Sequence, residues 1–131
     1  MRNIISAALL VWVGLPASAE PITGNDLLAA CETAADAQQG FCSGYIVGSV
    51  EGMFWGTAFP MFLLGEENVD KVNETVANLL LICEPAGVTK GQYVDITIAY
   101  LTDNPELRHG PARGLIRNAL SAAFPCTSVT P

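Results

Sequence analysis

The sequence is short of positive charge, of imidazole and of charge in general. Six Lys and Arg stand against thirteen Asp and Glu, for a net charge of −7. Charged residues are 15 % of the 131 positions, against a usual share of about 25 %. Nucleic acids and anionic membrane surfaces both select clustered Lys and Arg, so this deficit argues against either as a partner. There is one histidine, His109, and no Cys-x-x-Cys spacing. A structural zinc site therefore has no obvious ligand set, and no Ser or Cys nucleophile is patterned to pair with an imidazole base. Repeats, linkers and low-complexity tracts are also missing, which leaves a single domain. Half of the residues are apolar, too many for an intrinsically disordered chain.

Long hydrophobic runs are scarce as well. The N-terminal one, Ile4 to Leu15, has 12 residues, whereas about 20 are needed to span a bilayer. It follows a lone cation, Arg2, and precedes the small-x-small sequence Ala17-Ser18-Ala19. These three regions in order predict a secretory signal over residues 1–19, cleaved after Ala19. Removing those 19 residues, Arg2 among them, from 131 leaves a domain of 112 over residues 20–131, with a net charge of −8. Export favours oxidation, and the four cysteines (Cys31, Cys42, Cys83 and Cys126) are an even number. Two disulfides are expected, with three pairings open.

The periodicity of that domain is helical throughout, predicting an all-α compact bundle of about five helices stapled by two disulfides. A short first helix starts at Gly24-Asn25-Asp26 and ends near Gln38-Gln39-Gly40. A second runs from about Phe41 to Phe59, where Pro60 is expected to kink or end it. Gly44, Gly48, Gly52 and Gly56 recur through it every four residues. Each costs about 1 kcal/mol against Ala in a helix interior, so a close-packed neighbouring backbone is the expected compensation. The same stripe marks membrane-helix dimers, but Glu51 at its centre and Pro60 disfavour insertion.

A third helix is expected over Val76 to Ile82, after an acidic stretch. Asn73-Glu74-Thr75 matches a glycosylation acceptor and reads as solvated helix surface. Thr89-Lys90-Gly91-Gln92 is a capping box opening a helix that Asp103-Asn104-Pro105 stops. That helix is apolar on several sides apart from a stripe of Gln92, Asp95, Ala99 and Thr102, which predicts a position at the centre of the fold. The last helix opens at Pro111 and buries Ala112, Leu115, Ile116, Ala119, Leu120 and Ala123, with the tail after Cys126 frayed.

Candidate functional residues are few. His109 reads as a structural cap or packed ring, and Glu51 as turned to water. The acidic stretch Glu66, Glu67, Asp70 and Glu74 offers a surface that would steer a basic partner into contact. Phe54, Trp55, Phe59 and Phe62 are too many aromatics for one side of a short element, so some should anchor an interface with a partner or a second copy. Glu66, Glu67, Asp70, Trp55 and Phe59 are the partner-binding candidates.

Two stretches carry a more specific signal. One is Phe41-Cys42-Ser43-Gly44-Tyr45-Ile46-Val47-Gly48. The other runs from Cys83 through Pro85, Gly87-Val88-Thr89, Gly91-Gln92, Asp95, Tyr100-Leu101, Asn104-Pro105-Glu106 and Arg108-His109 to Ala123-Phe124-Pro125-Cys126. Over most of residues 27 to 126 the chain resembles the Rap/Tai family of periplasmic immunity proteins, which protect bacteria from type VI secreted peptidoglycan amidases. Phe54 to Ile82 departs from the family pattern. The resemblance implies a small helical exported protein, often dimeric, that occludes the toxin's active site. It implies no enzyme activity, cofactor or metal. By family position the four cysteines are matched sites, and the expected pairing is Cys31 with Cys42, across the first helical hairpin, and Cys83 with Cys126. The rival expectations are a periplasmic stress or acid-type chaperone and a membrane-associated subunit.

Overall fold

The computed structural model describes residues 20–126; the expected export signal and the tail after Cys126 lie outside the described residues. Five α-helices follow one another: α1 (Gly24–Glu32), α2 (Asp36–Leu63), α3 (Val69–Leu80), α4 (Lys90–Asp103) and α5 (Ala112–Ala123). A single 3₁₀ turn, Pro105–Leu107, joins the last two. No strand occurs among the described residues, so the fold is all-α as the periodicity predicts.

Side-chain caps start α1, α3 and α4, whereas α2 and α5 begin at Ala35 and Pro111 without one. Thr23 Oγ1 accepts from the Asp26 amide, and the Asp26 carboxylate accepts in return from the Thr23 amide at 2.9 Å. Thr89 and Gln92 form the same reciprocal box at α4, as the sequence predicts. Asn68 caps α3 by accepting from the Lys71 amide at 3.0 Å. The start of α1 is tied to the segment before α5: the Gly24 amide donates to the Gly110 carbonyl and the Asn25 amide to that of Arg108, both at 3.0 Å. Gly24 is the one glycine that this closeness requires. A Cβ there would lie 2.5 Å from Leu115 Cδ1 and 3.0 Å from the Arg108 carbonyl oxygen.

Boundaries differ from the sequence reading in three places. α1 ends at Glu32, and α2 begins at Asp36 instead of Phe41. α2 runs through Pro60 to Leu63. Proline removes one hydrogen bond, the one to the Gly56 carbonyl, but Pro60 lies in the last turn and both residues are exposed. α3 begins at Val69, seven residues before Val76. It ends on Leu81 in the left-handed region (φ 59°), which lets the Ile82 amide close back on the Ala77 carbonyl at 3.0 Å.

The hub of the bundle is α2, which packs against all four other helices. The expectation that α4 is central is corrected: α4 buries Tyr93, Thr97 and Leu101 and leaves its polar stripe in water. The main core joins Leu27 and Leu28 of α1, Cys42, Ile46 and Val50 of α2, Ile82, Tyr93 and Leu101, and Ala112, Leu115, Ile116 and Leu120 of α5. A second, small cluster holds α3 to the far half of α2 through Ala58, Val72 and Val76. Cys31 is bonded to Cys42 and Cys83 to Cys126, closing loops of 11 and 43 residues in sequence. By the loop-entropy relation such loops contribute about 3 and about 4 kcal/mol.

Candidate protein-binding surface

The glycine stripe lies on the opposite side of α2 from where close packing would need it. Ideal Cβ atoms at Gly44, Gly48, Gly52 and Gly56 would meet nothing within 4 Å, and all four residues are exposed. The expected close-packed neighbour is therefore absent within the described fold. Hydrophobic positions at Cys42, Ile46, Val50 and Ala58 already face the bundle, and a helix apolar all round has a second face left over. That face carries the glycines together with Phe41, Trp55 (63 % exposed), Phe59 (48 %) and Leu63.

From Gly52 to Gly65 the chain has no charged residue, and the one carboxylate on the exposed face, Glu51, is paired with Lys90. By length and composition α2 could cross a membrane. Its other face, however, is packed by four helices and held by the Cys31–Cys42 bond. An exposed apolar patch of this kind marks a contact surface.

Trp55 sits 6.1 Å from Phe59 and 6.2 Å from Phe62, ring centre to ring centre. Phe62 also packs on the small α3 cluster, so the aromatics bridge the exposed face and the arm formed by α2 and α3. The acidic candidates lie around the turn between these helices. Glu66 is engaged: its carboxylate pairs with Lys71 and accepts from the Asn68 amide at 3.1 Å. These contacts, the Lys71 bond first, hold the Glu66 carboxyl below its usual range and raise the Lys71 ammonium. Glu67 and Asp70 are exposed. The structure thus brings Trp55 and Phe59 together and sets the acidic group at the end of the same arm.

Sequence reasoning missed a groove between α2, α3 and the segment after α3. Phe54, Ala77, Ile82 and Cys83 line it with Asn73, Glu74 and Glu84, around a volume of about 500 Å³. It shares Phe54 and Glu84 with a recess that Val50, Glu51 and Tyr93 also line. The Tyr93 hydroxyl donates to Glu84 Oε2 at 2.6 Å. Burial, then this bond, then the charges of Glu84 and Glu51 push the phenol far above its ordinary value, so it remains a donor. No spacing rule connects residues 51, 54, 74, 84 and 93, which only the packing of α3 and α4 against α2 assembles.

His109 is exposed and caps nothing. The neighbouring Arg108 takes that role, donating from Nη2 to the Thr102 carbonyl at 2.9 Å and from Nε to that of Leu101, at the negative end of α4. No cluster of three or more His, Cys, Asp or Glu able to hold a metal occurs among the described residues.

A family model, Rap1a immunity proteins, matches residues 23–126, the whole helical domain. The chain belongs to the Rap1a immunity protein family. That match runs through Phe54 to Ile82, the stretch expected from the sequence to depart from the Rap/Tai pattern. Flagellar P-ring protein 1 of Chromobacterium violaceum is 27 % identical over 124 aligned residues, which are 84 % of this chain and 32 % of that protein. The chain thus spans about a third of that curated relative's length. No solved structure matches it. As Rap1a proteins are immunity proteins and not an enzyme family, the surface to explain is one for binding a protein.

Proposed function

We propose that this protein is exported to the periplasm, binds a type VI secreted peptidoglycan amidase and occludes its active site, with no chemistry of its own. The observation that carries the reading is the match to Rap1a immunity proteins over residues 23–126. Family members are typically periplasmic, and the signal-like residues 1–19 and the paired cysteines suit that compartment. Glu67 and Asp70 meet the toxin, with Glu66 ordering the turn that presents them.

Trp55 and Phe59 serve a second copy of this chain. The exposed face of α2 reads nearly the same in both directions about Val50. Phe41 mirrors Phe59, Gly44 mirrors Gly56 and Gly48 mirrors Gly52, while half-buried Tyr45, which also packs on the main core, stands opposite the exposed Trp55. An antiparallel two-fold pair would set glycine against glycine with an aromatic residue at each end, a self-complementary contact. α2 is about 42 Å long at 1.5 Å per residue, so a ~10 Å strip buries on the order of 800 Å² over both copies. That lies at the weak end for a specific interface, and the pair should dissociate on dilution.

The test is protection. Cells exporting the amidase encoded beside this gene should survive when the full chain is present and lyse when residues 1–19 are deleted. If no amidase is encoded nearby and none co-purifies from the periplasm, the reading fails and the fold stands. For the dimer, Trp55→Ala should abolish concentration-dependent association in sedimentation. Unchanged association would remove α2 as the contact.

A further inference from the structure

We propose that the groove between α2, α3 and the segment after α3 receives an arginine side chain from the protein partner. The partner's identity rests on the immunity reading, but the chemistry of the groove does not.

The floor is apolar and ring-bearing. Phe54, Ala77, Ile82 and Cys83 line a space of about 500 Å³, enough for one long side chain and its flanking backbone. The rim is acidic on two sides, Glu74 on α3 and Glu84 after it. Neither takes part in the ion pairs found among the described residues, which join Glu66 to Lys71 and Glu51 to Lys90. Glu84 receives the Tyr93 hydroxyl on one oxygen, which fixes the carboxylate and leaves acceptor capacity toward the groove. Tyr93 cannot supply a cation, and the chain's two lysines, Lys71 and Lys90, both pair with other carboxylates. The groove therefore pairs an unmet negative rim with an apolar floor.

An arginine suits both parts. Its methylene stem packs on Ala77 and Ile82, its flat guanidinium lies against the Phe54 ring, and its fork of donors reaches two carboxylates at once. A lysine offers one compact, strongly hydrated charge and fits the two-sided rim less well. A neutral apolar side chain would bury carboxylates without compensation. An electrostatic contact of this kind also weakens with salt. Association through the apolar face of α2 strengthens with salt, because two acidic copies repel at low ionic strength. The two surfaces thus respond to salt in opposite directions.

The test uses the disulfide-bonded protein, isotope-labelled, and two peptides: acetyl-Leu-Arg-Gly-amide and its citrulline analogue, which keeps the shape and loses the charge. The arginine peptide should shift the amides of Phe54, Ala77, Cys83 and Glu84 saturably and bind about tenfold more tightly than the citrulline peptide. Glu74→Gln with Glu84→Gln should remove that preference while leaving the spectrum otherwise folded, since glutamine retains an acceptor for Tyr93. Equal binding of the two peptides would overturn the proposal. So would arginine-specific shifts centred on Glu67 and Asp70 instead of the groove. The peptides need no amidase, so a groove that selects arginine in a protein failing the protection assay would refute only the immunity reading.

Discussion

The bundle built on the near half of α2 and the arm built on its far half use one continuous helix in two ways. In the bundle, α1, α2, α4 and α5 together with Ile82 supply twelve core residues, and a disulfide crosslinks α1 to α2. In the arm, the body of α3 is held by Ala58, Val72 and Val76, with Phe54, Met61, Phe62 and Leu80 half-buried around them, and only its C-terminal end is tied to the bundle, through Ile82 and the Cys83–Cys126 bond. Stability follows buried apolar area, so most of it belongs to the bundle. The arm carries the exposed aromatics, the acidic turn and the groove. An interaction surface is thus mounted on a lightly held element at the edge of a crosslinked core, where it can adjust without unfolding the whole.

Truncating one side chain in each region should break this comparison most severely. Ile116→Ala removes a fully buried residue of the main core and should cost about 2–5 kcal/mol, seen as a fall in denaturation midpoint for the whole domain. Val76→Ala should cost about 1–2 kcal/mol and speed hydrogen exchange in α3 before the bundle. Equal loss of protection in both regions would show that arm and bundle unfold as one unit.

Next in size is a glycine pair in which one substitution has opposite signs. Gly24→Ala forces a Cβ against Leu115 and the Arg108 carbonyl and should destabilise by about 1–3 kcal/mol. Gly48→Ala places its methyl in open space on an exposed helix face. It should stabilise the monomer by about 0.5–1 kcal/mol and weaken self-association. Thermal melts at low protein concentration, with sedimentation at high concentration, separate the two effects.

A smaller gain is expected at the end of α3. Leu81 is exposed and left-handed, so Leu81→Gly should relieve about 1 kcal/mol of backbone strain. An unchanged or lower midpoint would mean that the leucine side chain contributes packing that outweighs the strain.

The least effect concerns acid. Hydrogen bonds from Thr23 hold the Asp26 carboxyl below its ordinary 3.8, and the contacts of Glu66 hold it below 4.5. A depressed folded value means stabilisation that is complete above the ordinary value and lost as pH falls through the folded one. Asp26→Asn should therefore flatten the stability profile below about pH 4, and only slightly, because the group is solvent-exposed.

Local signals were legible to the extent that their physics is local. Capping boxes need only a few neighbouring residues, so the start of α4 at Thr89 and Lys90 was readable, and the buried face of α5 followed from 3.6-residue periodicity as far as Leu120; Ala123, expected on that face, is exposed because the helix ends there beyond its packing neighbours. Pro60 misled because a proline's cost depends on where in the helix it falls. Its effect in the last turn of α2 is one carbonyl left to water. The start of α3 was hidden because Asn68, its cap, sits in an acidic stretch that reads equally well as a loop.

The sequence by itself determined the helical class, the even cysteine set, the acidity and the residues of the exposed stripe, because composition, spacing and periodicity are properties of the chain. Which way that stripe faces was decided only by tertiary structure. A helix apolar on every side has no preferred face until its neighbours are placed, and here they cover Ile46 and Val50 and leave Gly44 to Gly56 in water. The groove was decided in the same way. Glu74, Glu84 and Phe54 are distant in sequence and meet only because α3 folds back on α2. The shortage of positive charge, visible from the first, acquires a location there: two carboxylates with no lysine or arginine of their own.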